Sequence, residues 1–209
     1  MGRGEGTFTP MSATPVIDTR HSLVQPEVKG LSFYNVSESV QQLRGDEALA
    51  RFRLHAPRHV IEMIDARAFV AVGWYPLDWY RDLVKAALHA TNEGTAFARE
   101  LGRVSTITDF KGVYRLLKFV LSPQALLARA PAVYDRYRRP GRLIVDDAKA
   151  GFARVRFEGC IGFDECLWQL AAGSCVGVLE VCGAKNVRTR IISGARDGHA
   201  DATFEGRWD

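Results

Sequence analysis

Between Phe163 and Cys182 lies a helix-length apolar segment, FDECLWQLAAGSCVGVLEVC, with short alternating runs on both sides of it. Phe163, Leu167, Leu170, Ser174, Val178 and Val181 recur at steps of three and four and draw one stripe down a helix that faces a sheet. Trp168, Ala172, Cys175, Leu179 and Cys182 form a second stripe, so this helix carries more apolar circumference than one sheet covers. A second layer, a guest molecule or a partner subunit has to meet the rest.

The flanking runs define those pairs. Phe152–Glu158 alternates Ala153, Val155 and Phe157 with Arg154, Arg156 and Glu158, and Leu143–Asp147 precedes it across a turn at Ala148–Gly151. Beyond a C-cap at Gly183, Asn186–Ser193 sets Val187, Thr189 and Ile191 against Arg188 and Arg190. After a turn at Gly194–Gly198, Ala200–Trp208 closes the chain. The expectation is an α+β domain of ββαββ order, with one four-stranded antiparallel sheet and a helical N-terminal half packed on it. Arg154, Arg156, Arg188 and Arg190 beside Asp201 and Glu205 are expected to pair across the outer face.

Upstream the pattern is helical. Residues 1–30 mix Gly, Ser, Thr and Pro with few periodic apolar positions and read as a flexible leader to a single domain over 31–209. Leu31–Val36 is expected as a short strand, and Ser37–Phe52 as a helix broken at Gly45. Arg58–Asp65 reads as a further helix. Trp74-Tyr75-Pro76-Leu77 is a helix entrance, because proline suits a first turn and holds its predecessor extended. The helix runs to about Ala90 and stops at Asn92 and Gly94. Ala96–Arg103 is expected as one helix, and a Thr106-x-x-Asp109 capping pattern opens another that ends before Pro123. Short helical pieces then lie between Pro123, Pro131 and Pro140.

Charge and cysteine usage narrow the function. A net charge of +4 with 28 basic and 24 acidic residues does not call for a nucleic-acid partner. No apolar run approaches the roughly 20 residues that cross a bilayer, and the N-terminus lacks a secretion-type hydrophobic run, so a cytoplasmic location is expected, with all four cysteines reduced. Cys175 and Cys182 would lie about 10 Å apart along one helix at about 1.5 Å per residue, and Cys166 on another face, so these thiols do not gather one metal ion. Cys160 and Cys166 remain as a local redox or metal half-site.

No G-x-S-x-G or HExxH arrangement is present, and Pro57 separates His55 from His59. His89 shares a wet face with Asp78, Asp82 and Lys85. A basic, aromatic cluster of Tyr134, Arg136, Tyr137, Arg138, Arg139 and Arg142 could grip phosphate or an acidic partner, or form a solvated helix end whose arginines cover tyrosine faces.

The WYPL-type helix entrance, the Ala98-Arg99-Glu100-Leu101-Gly102-Arg103 helix, the aromatic and basic segment before Gly141, and the strand pair, helix and strand pair ending in Trp208 together resemble an uncharacterised bacterial family. That family is allied to vinyl-reductase-type ligand-binding domains. More distantly it is similar to heme nitric-oxide-binding domains and to small subunits of transport-particle tethering complexes. The resemblance covers about residues 40–209. It implies helices on a four-stranded sheet, an apolar pocket between them, and dimer formation. It assigns no chemistry and no cofactor: Tyr137-Arg138-Arg139-Pro140-Gly141 departs from the Tyr-x-Ser-x-Arg motif of the heme-binding relatives.

The expectation is therefore a non-enzymatic, sensor-like domain binding a small apolar ligand or pairing as a homodimer. Trp74, Tyr80, Val84, Leu117, Trp168 and Leu179 are placed at that site. A ligand-free interaction scaffold and a cysteine-based metal or redox protein are the alternatives.

Overall fold

A computed structural model describes residues 25–111 and 122–209. The elements run β1 (Glu27–Lys29), α1 (Leu31–His55), α2 (Arg58–Asp65), β2 (Trp74–Pro76), α3 (Leu77–Thr91), α4 (Gly94–Lys111), α5 (Pro123–Leu127) and α6 (Ala130–Tyr134). They continue with β3 (Arg138–Arg139), β4 (Arg142–Lys149), β5 (Phe152–Glu158), α7 (Glu165–Val181), β6 (Arg188–Gly194) and β7 (Ala202–Arg207). The C-terminal sheet has the order β4-β5-β7-β6 and every pairing is antiparallel. It is the expected ββαββ unit, with the helical half of the chain packed against it.

The organising helix forms as its pattern requires. Asp164 caps it by accepting from Leu167 N at 3.0 Å, and Leu167, Trp168, Leu170 and Leu179 are buried along it. On the inner face of the sheet Ala153, Val155, Phe157, Ala202 and Phe204 are buried. Trp168 meets Phe157, Phe163 and Phe204 at ring-centroid distances of 6.0, 4.6 and 6.2 Å and welds helix to sheet. On the outer face Glu205 pairs with Arg154 at 2.6 Å and lies 4.0 Å from Arg190, as expected, whereas Arg156 pairs with Asp146 at 3.0 Å and Asp201 accepts from Gly159 N.

Three expectations are corrected. Leu31–Val36 is the first turns of α1 and not a strand, because Phe33, Val36 and Val40 fall on one helical stripe and all are fully buried. Gly45, at φ 78° and ψ −174°, does break α1, a conformation that favours glycine. Ala96–Arg103 and the start of the next expected helix are one helix, α4: Thr106 does not open a new element, and Asp109 turns to Asn35 instead of capping. The rest of that second expected helix, from 112 to 121, lies outside the described residues. Finally, Glu27–Lys29, within the expected leader, is the central strand of a small β2-β1-β3 sheet, with Val28 fully buried. Residues 1–24 lie outside the described residues.

Candidate functional site

The second apolar face of α7 is met from within the chain, by α4. The two helices cross closely because glycines stand at the contact. A Cβ on Gly173 would sit 1.8 Å from the Arg99 carbonyl oxygen, one on Gly102 2.0 Å from that of Leu170, and one on Gly177 2.6 Å from that of Arg103. The polar residues of the ARELGR stretch lock the crossing. Arg99 donates to Gln169 Oε1 at 2.8 and 3.1 Å and to the Thr189 carbonyl at 3.0 Å, so it ties α4 to α7 and to strand β6. Arg103 pairs with Glu180 at 2.6 Å, and Glu100 with Arg44 of α1 at 2.6 Å.

Beyond the crossing the layers part and leave a cavity of about 200 Å³. Leu170, Ala171, Ser174, Cys175, Val178 and Leu179 of α7 form one wall. Val155, Phe157 and Phe204 of the sheet form the next, and Leu126, Leu127, Ala130 and Val133 of α5 and α6 cover it. The α5 turn is set by Ser122, whose Oγ accepts from Ala125 N at 3.2 Å with Pro123 in the first turn.

Polar groups from four elements also line this cavity: Asn35 of α1, Tyr80 of α3, Ser105 and Asp109 of α4, and Arg138 of β3. Asn35 Nδ2 donates to Asp109 Oδ1 at 2.5 Å, and the Ser39 and Ser105 hydroxyls lie 3.0 Å apart. Burial pushes the Asp109 carboxyl up to about 6, against the opposing bond from Asn35. Burial likewise raises the Tyr80 phenol, while a hydrogen bond and the positive charge from Arg138 oppose it. The Arg138 guanidinium sits between two rings, 5.1 Å from the Tyr80 centroid and 5.3 Å from that of Phe163. Its Nη1 is buried without a hydrogen-bond partner. Arg139 pairs with Glu27 and Arg142 with Glu158, but no carboxylate among the described residues pairs with Arg138.

The residues singled out from the sequence are distributed as follows. Tyr80 and Leu179 line the cavity, and Arg138 of the basic cluster lines it too. Trp168 is fully buried behind it, against two of its wall residues, Phe157 and Phe204. Val84 is fully buried in the helical core, and Trp74 lies apart on β2 under Lys29 at 3.6 Å and Arg139 at 4.3 Å. Leu117 lies outside the described residues. Arg136 is exposed, so the four arginines do not act as one patch. Sequence reasoning missed Asn35, Ser105 and Asp109. Their signal was polar residues on otherwise apolar helix faces, with Ser105 and Asp109 four apart on the side of α4 that follows Gly102.

No protein-family model and no curated protein sequence matches the chain. Solved structures do. An oxygen-bound H-NOX domain related to soluble guanylate cyclases aligns with a TM-score of 0.64 at 12% identity over 87% of this chain and 95% of that one. The Fe(II) unliganded H-NOX protein of K. algicida aligns at 0.62 and 11% identity over 87% and 96%. A further H-NOX protein, solved to follow H-NOX activation, aligns at 0.65 and 13% over 87% and 96%. The fold is that of H-NOX domains.

A further structure, solved to study how a protein modulates heme redox potential, aligns at 0.64 and 13% identity over 86% and 99%, but the residues of this cavity do not fit a heme. Heme iron is held by histidine, thiolate, methionine or tyrosinate. No histidine lies between His89 and His199, and none lines the cavity among the described residues. The thiol on its wall, Cys175, is pushed up to about 12 by burial and stays protonated. The Tyr134 phenol is raised by burial, with its oxygen 3.0 Å from Cys160 Sγ. The space is also smaller than the roughly 300–1,000 Å³ typical of drug-sized ligand pockets.

The cysteines themselves are dispersed. All four are free, and burial raises every one of their pKa values. Among the described residues no group of three or more His, Cys, Asp and Glu is placed to hold a metal ion. No described helix is long and apolar enough to cross a membrane.

Proposed function

We propose that this protein is a non-enzymatic, sensor-like module that binds a small organic molecule in the cavity between α7, the sheet, and α5 and α6. One observation carries the reading: a mostly apolar space of about 200 Å³ bounded by separate elements and edged by a few polar groups. An apolar cavity of about 150 Å³ is large enough to admit benzene, so this one suits a single ring with a substituent. The lining offers mainly apolar contacts, its thiol is held protonated, and no histidine among the described residues stands beside it. Likeness in fold to heme and gas-binding H-NOX proteins, and the resemblance to vinyl-reductase-type ligand-binding domains, agree with a sensing role.

The test is toluene binding to the full chain, followed by the thermal midpoint and by fluorescence of Trp168, which packs behind the cavity wall. Saturable binding lost in Ala171→Phe, whose added ring would occupy the cavity, supports the reading. No response at millimolar toluene would overturn it. Native mass spectrometry of the same sample reads retained ligand and subunit number together; the apolar excess of α7, which pointed to a dimer seam, is taken up here by α4.

A further inference from the structure

The cavity is not uniformly apolar, and its polar end is chemically lopsided. Arg138 is a permanent cation that lines the space, packed between the faces of Tyr80 and Phe163, with one guanidinium nitrogen buried and unpartnered. The neighbouring arginines each have a carboxylate, Glu27 for Arg139 and Glu158 for Arg142. Two acidic residues also line the cavity: Asp109 is turned to Asn35, and its buried setting favours the neutral acid, while Glu205 is paired with Arg154 on the sheet's outer face. A partly buried charge with no counter-ion among the described residues is costly, and an anion that enters such a site gains more than it would in water.

We propose that the cavity takes a single-ring organic carboxylate in place of a heme, its ring against Phe157, Leu170 and Phe204 and its carboxylate supplying the counter-charge that no described residue gives Arg138. This rests on the reading of the cavity as a ligand site. The size limit follows from the volume and the apolar walls, and the sign of the head group follows from Arg138. A neutral ring of the same size would fill the walls and leave the guanidinium as it is now. A macrocycle such as heme exceeds the space and meets no histidine among the described residues of the lining.

Benzoate, toluene and hemin are the probes, measured by titration calorimetry and absorbance on the full chain, on Arg138→Gln and on Ala171→Phe, with circular dichroism as the folding check. Charge-assisted hydrogen bonds make the expected preference of benzoate over toluene on the order of ten- to a hundredfold. In Arg138→Gln that preference should disappear while toluene affinity stays. Hemin should give no saturable Soret band. Equal binding of benzoate and toluene, unchanged in Arg138→Gln, would refute the carboxylate assignment and leave the small-molecule reading standing. Absence of binding by both probes would refute both. Stoichiometric hemin binding that displaces benzoate would overturn the inference as well. If Arg138→Gln fails the folding check, Arg138→Lys serves: it keeps the charge, and should retain a preference for benzoate that a purely structural role would not produce.

Discussion

Replacing Gly173 by alanine sets two effects of known size against each other. In an isolated helix the change would help, since alanine is favoured over glycine by about 1 kcal/mol in a helix interior. At this crossing the new Cβ would stand 1.8 Å from the Arg99 carbonyl oxygen and 2.7 Å from its carbon. Both are backbone atoms of α4, so no rotamer change relieves the contact, and the helices must move apart. Overpacking of a filled interior costs about 1–3 kcal/mol, and the rigid neighbour puts this case at the upper end. Separation also draws Arg99 away from Gln169 and the Thr189 carbonyl. The net expectation is a loss of about 2 kcal/mol. With a urea m-value near 2–3 kcal/mol/M, the unfolding midpoint should fall by roughly 0.7–1 M. Gly177→Ala should lose less, because its contact is 2.6 Å. A midpoint that rises in Gly173→Ala would show that propensity outweighs contact and that α4 does not cover α7 as described.

Other outcomes follow from the same geometry. Asp109 holds its proton more tightly when folded, about 6 against an ordinary 3.8, so its contribution to stability is full below pH 4 and is lost as pH rises through 6. The stability of Asp109→Asn relative to the parent should therefore climb between pH 4 and 8, by at most about 3 kcal/mol, and a flat difference in urea titrations would contradict the buried setting. Arg99→Met keeps the stem but leaves Gln169 and the Thr189 carbonyl without their donor; a loss of about 1–3 kcal/mol is expected, and a change within about 0.5 kcal/mol would refute the bridging role. Cys175 should resist thiol reagents at pH 8 in the folded protein and react once urea opens the chain, and rapid native labelling would show that it is not held protonated.

The sheet was the most legible part of the sequence. Alternation at Phe152–Glu158 reproduces β5 residue for residue, because a strand with one wet face must repeat every two positions. The double stripe of α7 correctly required a second cover, but periodicity measures apolar area and not its partner. The partner was written in Gly102, Gly173 and Gly177, whose meaning emerges only when two helices are superposed. Local patterns misled where tertiary contact decides. Leu31–Val36 has strand-like composition, yet its stripe packs on α3, and the Thr106-x-x-Asp109 pattern resembles a cap although Asn35 claims the aspartate. Of the candidate site, Tyr80, Leu179 and Arg138 were in reach because aromatic, apolar and basic residues announce themselves. Asn35 and Ser105 were not, because a buried polar group looks like any other until its surroundings are known.

Xenon pressed into crystals of the protein tests the account most directly, since the gas settles in enclosed apolar space and carries no chemistry of its own. An ordered xenon bounded by Phe157, Leu170 and Phe204 is expected in the parent chain and none there in Ala171→Phe. Parent crystals with no xenon among those three side chains would contradict it.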